Sequence, residues 1–267
     1  MVVFQLRYAV FLAVGLTALV EMSAAFAEDG ADQRAANDTA TTVATLREVC
    51  RRESAESSPK PADDASLISQ QHEKARSACD QLVNAAGLQG RDLAEALLDR
   101  ADLNAPGEDE AYRQALADYD RAISIASDSA DAYWRRGKAN ILYGRNLPAA
   151  HNDLDKAIQL DASQAEFYVT RASILSWLGE PEAAFTDLNR ALSHDPQSVR
   201  ALTNRGLFYA NQGDTSHAIA DFNAALTLSP TDSGLYGFRA AARRQAGDDE
   251  GAKADEAKTM ELMLADP

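Results

Sequence analysis

Two cysteines and four histidines among 267 residues leave little material for a metal or redox centre. Cys50 and Cys79 lack CxxC spacing, so thioredoxin-type redox chemistry and a zinc site find no support. His72, His151, His194 and His217 stand far apart, form no HExxH, and read as solvated helix residues. A Walker loop, a GxSxG elbow and a GxGxxG turn after a strand are all missing, as is any strand-type alternation. Basic residues are in deficit, 26 Lys and Arg against 41 Asp and Glu, for a formal net charge of −15. That charge argues against nucleic acid and anionic membrane surfaces as partners, and favours solubility and basic partners. No enzyme activity, cofactor or metal is expected.

What the chain does have is repetition. From Ala101 onward nearly the same text recurs five times, with a period of about 34 residues. A small-residue column holds Ala101, Gly137, Ala172, Gly206 and Ala240. An all-alanine column follows at Ala115, Ala150, Ala184, Ala218 and Ala252, then a second at Ala122, Ala157, Ala191 and Ala225, which Thr259 breaks. Small residues at helical spacing let two helices approach closely. Gly144, Gly179, Gly213 and Gly247 fall between the columns and suit a left-handed helix end, while Pro196 and Pro230 close second helices. Tyr133, Tyr168, Leu202 and Tyr236 open the first helices, and Tyr119, Leu154, Leu188 and Phe222 fill the second. Extra residues at 104–109 and near 145–148 predict bulges at the turn edge, since loop lengthening costs little. Glu256, where sibling units are large and apolar, reads as a terminal cap.

This order of aromatic, Gly/Ala, Ala, aromatic, Ala and Pro resembles the tetratricopeptide repeat over roughly residues 94–266. The resemblance implies an all-α, right-handed superhelical solenoid of helix-turn-helix units, at 94–129, 130–164, 165–198, 199–232 and 233–267. It also implies a concave, ligand-facing surface built mainly from the first helices. By the family's register that surface takes Trp134, Arg135, Lys138, Ile141 and Leu142 in the second unit, Thr170, Ser173 and Trp177 in the third, and Asn204, Leu207 and Asn211 in the fourth. Tyr133 already fills the core column, so Trp134 is either a peptide-contacting anchor or an inter-helix filler; Trp177 is either an anchor or a closure of its own turn. The Lys/Asn pattern with which some family members clamp a C-terminal carboxylate is not matched.

One feature goes beyond the basic pattern. An arginine precedes the small column in every unit (Arg100, Arg136, Arg171, Arg205 and Arg239), and an aspartate follows the alanine column by three (Asp118, Asp153, Asp187, Asp221 and Asp255). Five matched pairs read as a ladder of ion pairs, lying either within or between units; the rival reading has the arginines bind an anionic ligand.

Ahead of the repeats, residues 1–27 read as a signal peptide, with Arg7, an apolar run at 8–20 and Ala25-Phe26-Ala27 before Glu28. The run is short for a membrane span, and a retained signal anchor is the alternative. Residues 28–40 are polar and read as disordered. Residues 41–93 read as an N-capping helical pair, with helices at 41–52 and 66–86 around a Ser/Pro-rich linker. Export to an oxidising compartment predicts a Cys50–Cys79 disulfide, stabilising by roughly 3–4 kcal/mol in the loop-entropy model. Short exported bacterial proteins of this repeat family show a similar plan of signal peptide, cysteine, linker, cysteine and repeats. The expectation is an exported, periplasmic adaptor or scaffold that binds a protein or peptide in its groove; secretion is the alternative location. A regulator or assembly factor of a cell-envelope enzyme or secretion complex, and a self-associating structural protein, are the other functional readings. Oligomeric state is left open.

Overall fold

The computed structural model describes residues 42–51, 65–85, 87–106, 109–144 and 146–265. The signal peptide, the segment at 28–40 and most of the linker lie outside the described residues. Helix α1 covers 42–51 and α2 covers Ala65–Val83. Five hairpins follow: α3 (Gly90–Asn104) with α4 (Asp109–Ile125), α5 (Ala130–Ala139) with α6 (Leu147–Leu160), α7 (Ala165–Trp177) with α8 (Pro181–His194), α9 (Val199–Asn211) with α10 (Thr215–Leu228), and α11 (Ser233–Gln245) with α12 (Asp249–Ala265). No strand occurs among the described residues. Each helix packs on its neighbours in chain order, most closely inside a hairpin, which is the architecture of an all-α solenoid.

Local chemistry starts and stops these helices. Ser129, Asn146, Ser198, Asp214 and Asp232 stand before α5, α6, α9, α10 and α11, and each side-chain oxygen accepts a first-turn backbone N–H. Gly179, Gly213 and Gly247 end first helices at φ near +80° (81°, 80° and 84°), a conformation open to glycine and strained for most other residues. The second unit departs from the expectation of a bulged turn. Its extra residue is absorbed inside the first helix, where Asn140–Gly144 form a π-helical turn and the Asn146 N–H reaches back to the Asn140 carbonyl at 3.0 Å. Asn140 is buried, accepts a hydrogen bond from the Tyr112 hydroxyl at 3.1 Å, and donates to the Arg136 carbonyl at 3.1 Å. That anchoring ties the start of the wide turn into the core, where Asn140 and Ile141 are buried, while Leu142 and Tyr143 stand exposed.

The small columns set how closely hairpins close. Both alanine columns are buried throughout. A Cβ at Gly137 would stand 2.4 Å from Leu154 Cδ2, and one at Gly206 would stand 2.7 Å from the buried Phe222 ring. Glycine at these two positions therefore answers to steric contact with the facing helix. Tyr119, Leu154, Leu188 and Phe222 are all buried between the helices, while Glu256, their counterpart in α12, is paired with Arg244.

The five arginines form one repeated device. Each places Nε and Nη2 on the two oxygens of the aspartate in the second helix of its own unit, at 2.6–2.9 Å. The remaining Nη1 reaches the second helix of the preceding unit: Asp80 for Arg100, Asp120 for Arg136, Asp155 for Arg171, Asn189 for Arg205 and Asn223 for Arg239, at 2.6–3.0 Å. The fork thus binds within a repeat while the third nitrogen binds between repeats. In the third unit Asp187 is 4% exposed and Arg171 17%. Hydrogen bonding to Asp187 raises the Arg171 pKa against the opposing effect of burial.

Removing one partner of such a pair strands the other in a poorly solvated site. Asp187→Asn is expected to lower the unfolding free energy by about 2–3 kcal/mol in urea titrations, somewhat under the value for a fully buried pair. Asn189→Ala, at the half-buried and uncharged end of the next fork, is expected to cost about 1 kcal/mol. Equal effects would show that the bidentate geometry adds nothing.

Candidate functional site

The first helices lie side by side along one face, with α3 against α5 and α9 against α11. What fills the seams between them changes along the stack. Between α3 and α5 the filling is ionic. Arg135 donates to Asp99 at 3.2 Å, Asp102 at 2.8 Å and Asp131 at 2.7 Å, and the buried Tyr119 hydroxyl donates to Asp102 at 2.5 Å. Burial raises the pKa of both Asp99 and Asp102, with Arg135 pulling each back down. Burial works to lower the Arg135 pKa, yet the three carboxylates carry it above its ordinary value. Burial, Asp102 and its hydrogen bond likewise push the Tyr119 phenol upward.

Between α5 and α7 the seam is closed by Trp134. Its indole N–H donates to Thr170 Oγ1 at 3.1 Å, its ring lies 5.9 Å from Phe167, and the Lys138 ammonium sits 5.3 Å above it. Trp134 is therefore the inter-helix filler of the two sequence readings. Thr170 and Ile141 are buried, at 4% and 8% exposure, and Arg135 is spent on three carboxylates. These three are corrections to the expected groove strip. Thr170 is covered by the Trp134 indole and Ile141 packs into the cluster of Ala150, Leu154 and Ile174, and no sequence column reveals either contact. Lys138 and Leu142 do stand exposed, Leu142 on the π-helical turn.

Between α7 and α9 the seam is joined at one end and open at the other. Glu166 and Arg200 pair across the N-terminal ends. Toward the C-terminal ends lies a cleft of about 650 Å³. Its floor is Ala172, Ala184 and Leu188, and around it stand Ser173, Trp177, Asn204, Leu207 and Asn211. These five predicted residues are brought together, although they come from two units. Trp177 is 62% exposed, so it does not serve as a packed closure of its turn. Phe208 and Gln212 also line the cleft and were missed. The available signal was adjacency, since Phe208 follows Leu207 and Gln212 follows Asn211 in the sequence.

The cleft's lining carries no ionisable side chain. Ser173 and Ser176 spend their hydroxyls on the carbonyls of Val169 and Ala172, at 3.2 and 2.9 Å. The volume falls in the range of small-ligand sites, while the mixed lining suits a peptide held by an apolar anchor and backbone hydrogen bonds. Among the described residues no three His, Cys, Asp or Glu side chains are placed to hold a metal, and no helix is long and apolar enough to cross a membrane.

This architecture is that of the tetratricopeptide-repeat solenoids. Residues 199–232, the hairpin of α9 and α10, match the tetratricopeptide repeat family model. No curated protein matches the chain. Among solved structures it is similar to MamA (21% identity over 63% of this chain and 91% of that one, TM-score 0.54). It is also similar to YrrB, a TPR protein with an unusual peptide-binding site (20%, 70% and 93%, TM-score 0.52). A third likeness is to PilW, a type IV pilus biogenesis factor (21%, 64% and 78%, TM-score 0.59). These likenesses establish the fold.

The ionic seam has a pH signature. A carboxyl whose pKa is raised on folding binds its proton more tightly in the folded state, so acidification toward the ordinary value of 3.8 adds stability. Asp99 faces Asp102, Glu95 and Arg135, the last shared with Asp131. Asp99→Asn removes this contribution, so wild type should gain stability relative to the variant as pH falls from 7 to 4. Urea unfolding at both pH values reads the difference; a constant gap would mean that Asp99 titrates normally.

Proposed function

We propose that this chain is an exported, non-enzymatic adaptor that holds a protein or peptide partner on its first-helix face. The observation that carries the reading is the cleft between α7 and α9, where an exposed tryptophan and three amide side chains surround an apolar floor. A rigid stack offers such a surface already ordered, so little conformational entropy is lost on docking. The peptide-binding site named for YrrB supports the same use of this fold. Export is supported by the Cys50–Cys79 disulfide, which joins α1 to α2 and fits an oxidising compartment. A cell-envelope assembly factor is the same reading with the partner inside a larger complex, and PilW gives that version its support. Self-association is a second reading, favoured by Met260, Met263 and Leu264, all exposed on α12. A mass by light scattering that stays monomeric at every concentration would remove it.

A photo-crosslinking residue at Ser173 is expected to capture a partner in the native cells, and one at Arg190, on exposed second-helix surface, is not. The same mass spectrum, taken without reductant, should hold the linked Cys50–Cys79 peptides and an N-terminus at Glu28. Equal capture from both positions would overturn the face assignment, and free thiols with an intact leader would overturn export.

A further inference from the structure

The seam between α7 and α9 differs in one chemical respect from the two that precede it. At equivalent positions of the first helices, Arg135 is bonded to Asp99 and Thr170 to Trp134, so both earlier seams are stitched by side chains. Asn204 holds that position in the fourth unit, and among the described residues no hydrogen bond engages its amide or those of Asn211 and Gln212. Each primary amide offers a donor and an acceptor, the pair that a peptide backbone requires. Beneath them lie Ala184 and Leu188, buried and apolar, and beside them the exposed Trp177.

We propose that this cleft takes an extended, uncharged peptide segment of a partner protein, with one large apolar side chain lodged on the Ala184–Leu188 floor. This deepens the adaptor reading and rests on it. Charge selects the occupant. The lining carries no group to neutralise an ion, so a Lys, Arg, Asp or Glu side chain placed there would be desolvated without a partner. Elsewhere on the first-helix face, Arg135 with its three carboxylates and the Glu166–Arg200 pair are charged and matched to one another, and the Lys138 ammonium lies over Trp134. The net charge of −15 further disfavours acidic flanks on the peptide. Specificity then has a simple form: an apolar anchor fills the seam that this chain's own side chains leave open, and the amides of Asn204, Asn211 and Gln212 hold the backbone on either side of it.

The probe is a random twelve-residue peptide library displayed on phage, selected against the full disulfide-bonded chain, with enriched peptides resynthesised for titration. Enriched peptides should share one Leu, Phe, Met or Trp and avoid Asp and Glu. Their affinity should fall at least tenfold for both Trp177→Ala and Asn204→Leu. Trp177 is exposed, so its variant should keep the wild-type melting curve, which separates lost binding from lost folding. Peptides anchored by a charged residue, or ones that bind both variants as well as wild type, overturn the cleft assignment. If those peptides are instead weakened by Lys138→Glu, the first-helix face still binds peptide and only the location is wrong. A library that yields no binder overturns the assignment and the adaptor reading together.

Discussion

A planar guanidinium with three usable nitrogens determines how this stack is assembled. Two of them grip an aspartate across the hairpin, and the third grips the hairpin before it, five times in succession. Lysine offers a point charge and cannot satisfy both directions with fixed geometry. The fork also explains the spacing of its residues. Arginine next to the small column and aspartate three past the alanine column are where two helices come close enough for bonds of 2.6–2.9 Å. In three units the guanidinium also lies over the ring that opens its own first helix, 5.5–5.9 Å from Tyr133, Tyr168 and Tyr236. Packing, charge and ring contact therefore fall on one side chain per repeat.

Close approach and ion pairing depend on each other. The fork reaches its aspartate because glycine or alanine lets the helices approach, and Gly137 and Gly206 leave no room even for a methyl group without displacing Leu154 or Phe222. The pair in turn satisfies polar groups that this approach desolvates; among the described residues no buried side-chain nitrogen or oxygen lacks a hydrogen bond. An aliphatic pair of similar volume would hold the hairpin shut as well. It would not specify the preceding unit, and that second role gives the repeat a reason to retain charge.

The hairpins were legible because each repeat restates the same steric requirement, and five statements of one rule are hard to misread. Gly179, Gly213 and Gly247, the buried alanines and the large second-helix column all follow from residue type alone. Seams between first helices were not legible in this way, because each is filled by a different chemistry. Arg135 reaches acids 33 and 36 residues earlier, and Trp134 meets a threonine 36 residues later. Neither distance leaves a mark on a single repeat. The extra residue of the second unit was visible, but its absorption into a π-helical turn required knowing that Tyr112 would pin Asn140 from the previous hairpin. The candidate cleft was half legible: Ser173, Trp177, Asn204, Leu207 and Asn211 followed from register, while Ile141 and Thr170 shared that register but are buried, and Trp134 is engaged across the α5–α7 seam.

That uneven filling bears on how a solenoid acquires a binding site. A seam stitched by Arg135 and three carboxylates, or by an indole N–H on a threonine, has no unused capacity to offer a partner. A seam with unengaged amides over an apolar floor has capacity in both currencies, hydrogen bonds and area. The repeat can leave one such seam open because its stability is a sum over neighbours, and the forks of Arg171 and Arg205 hold the adjoining hairpins on either side. On the adaptor reading, binding at α7 and α9 is obtained by omitting an internal contact at that seam rather than by adding a dedicated element to the fold.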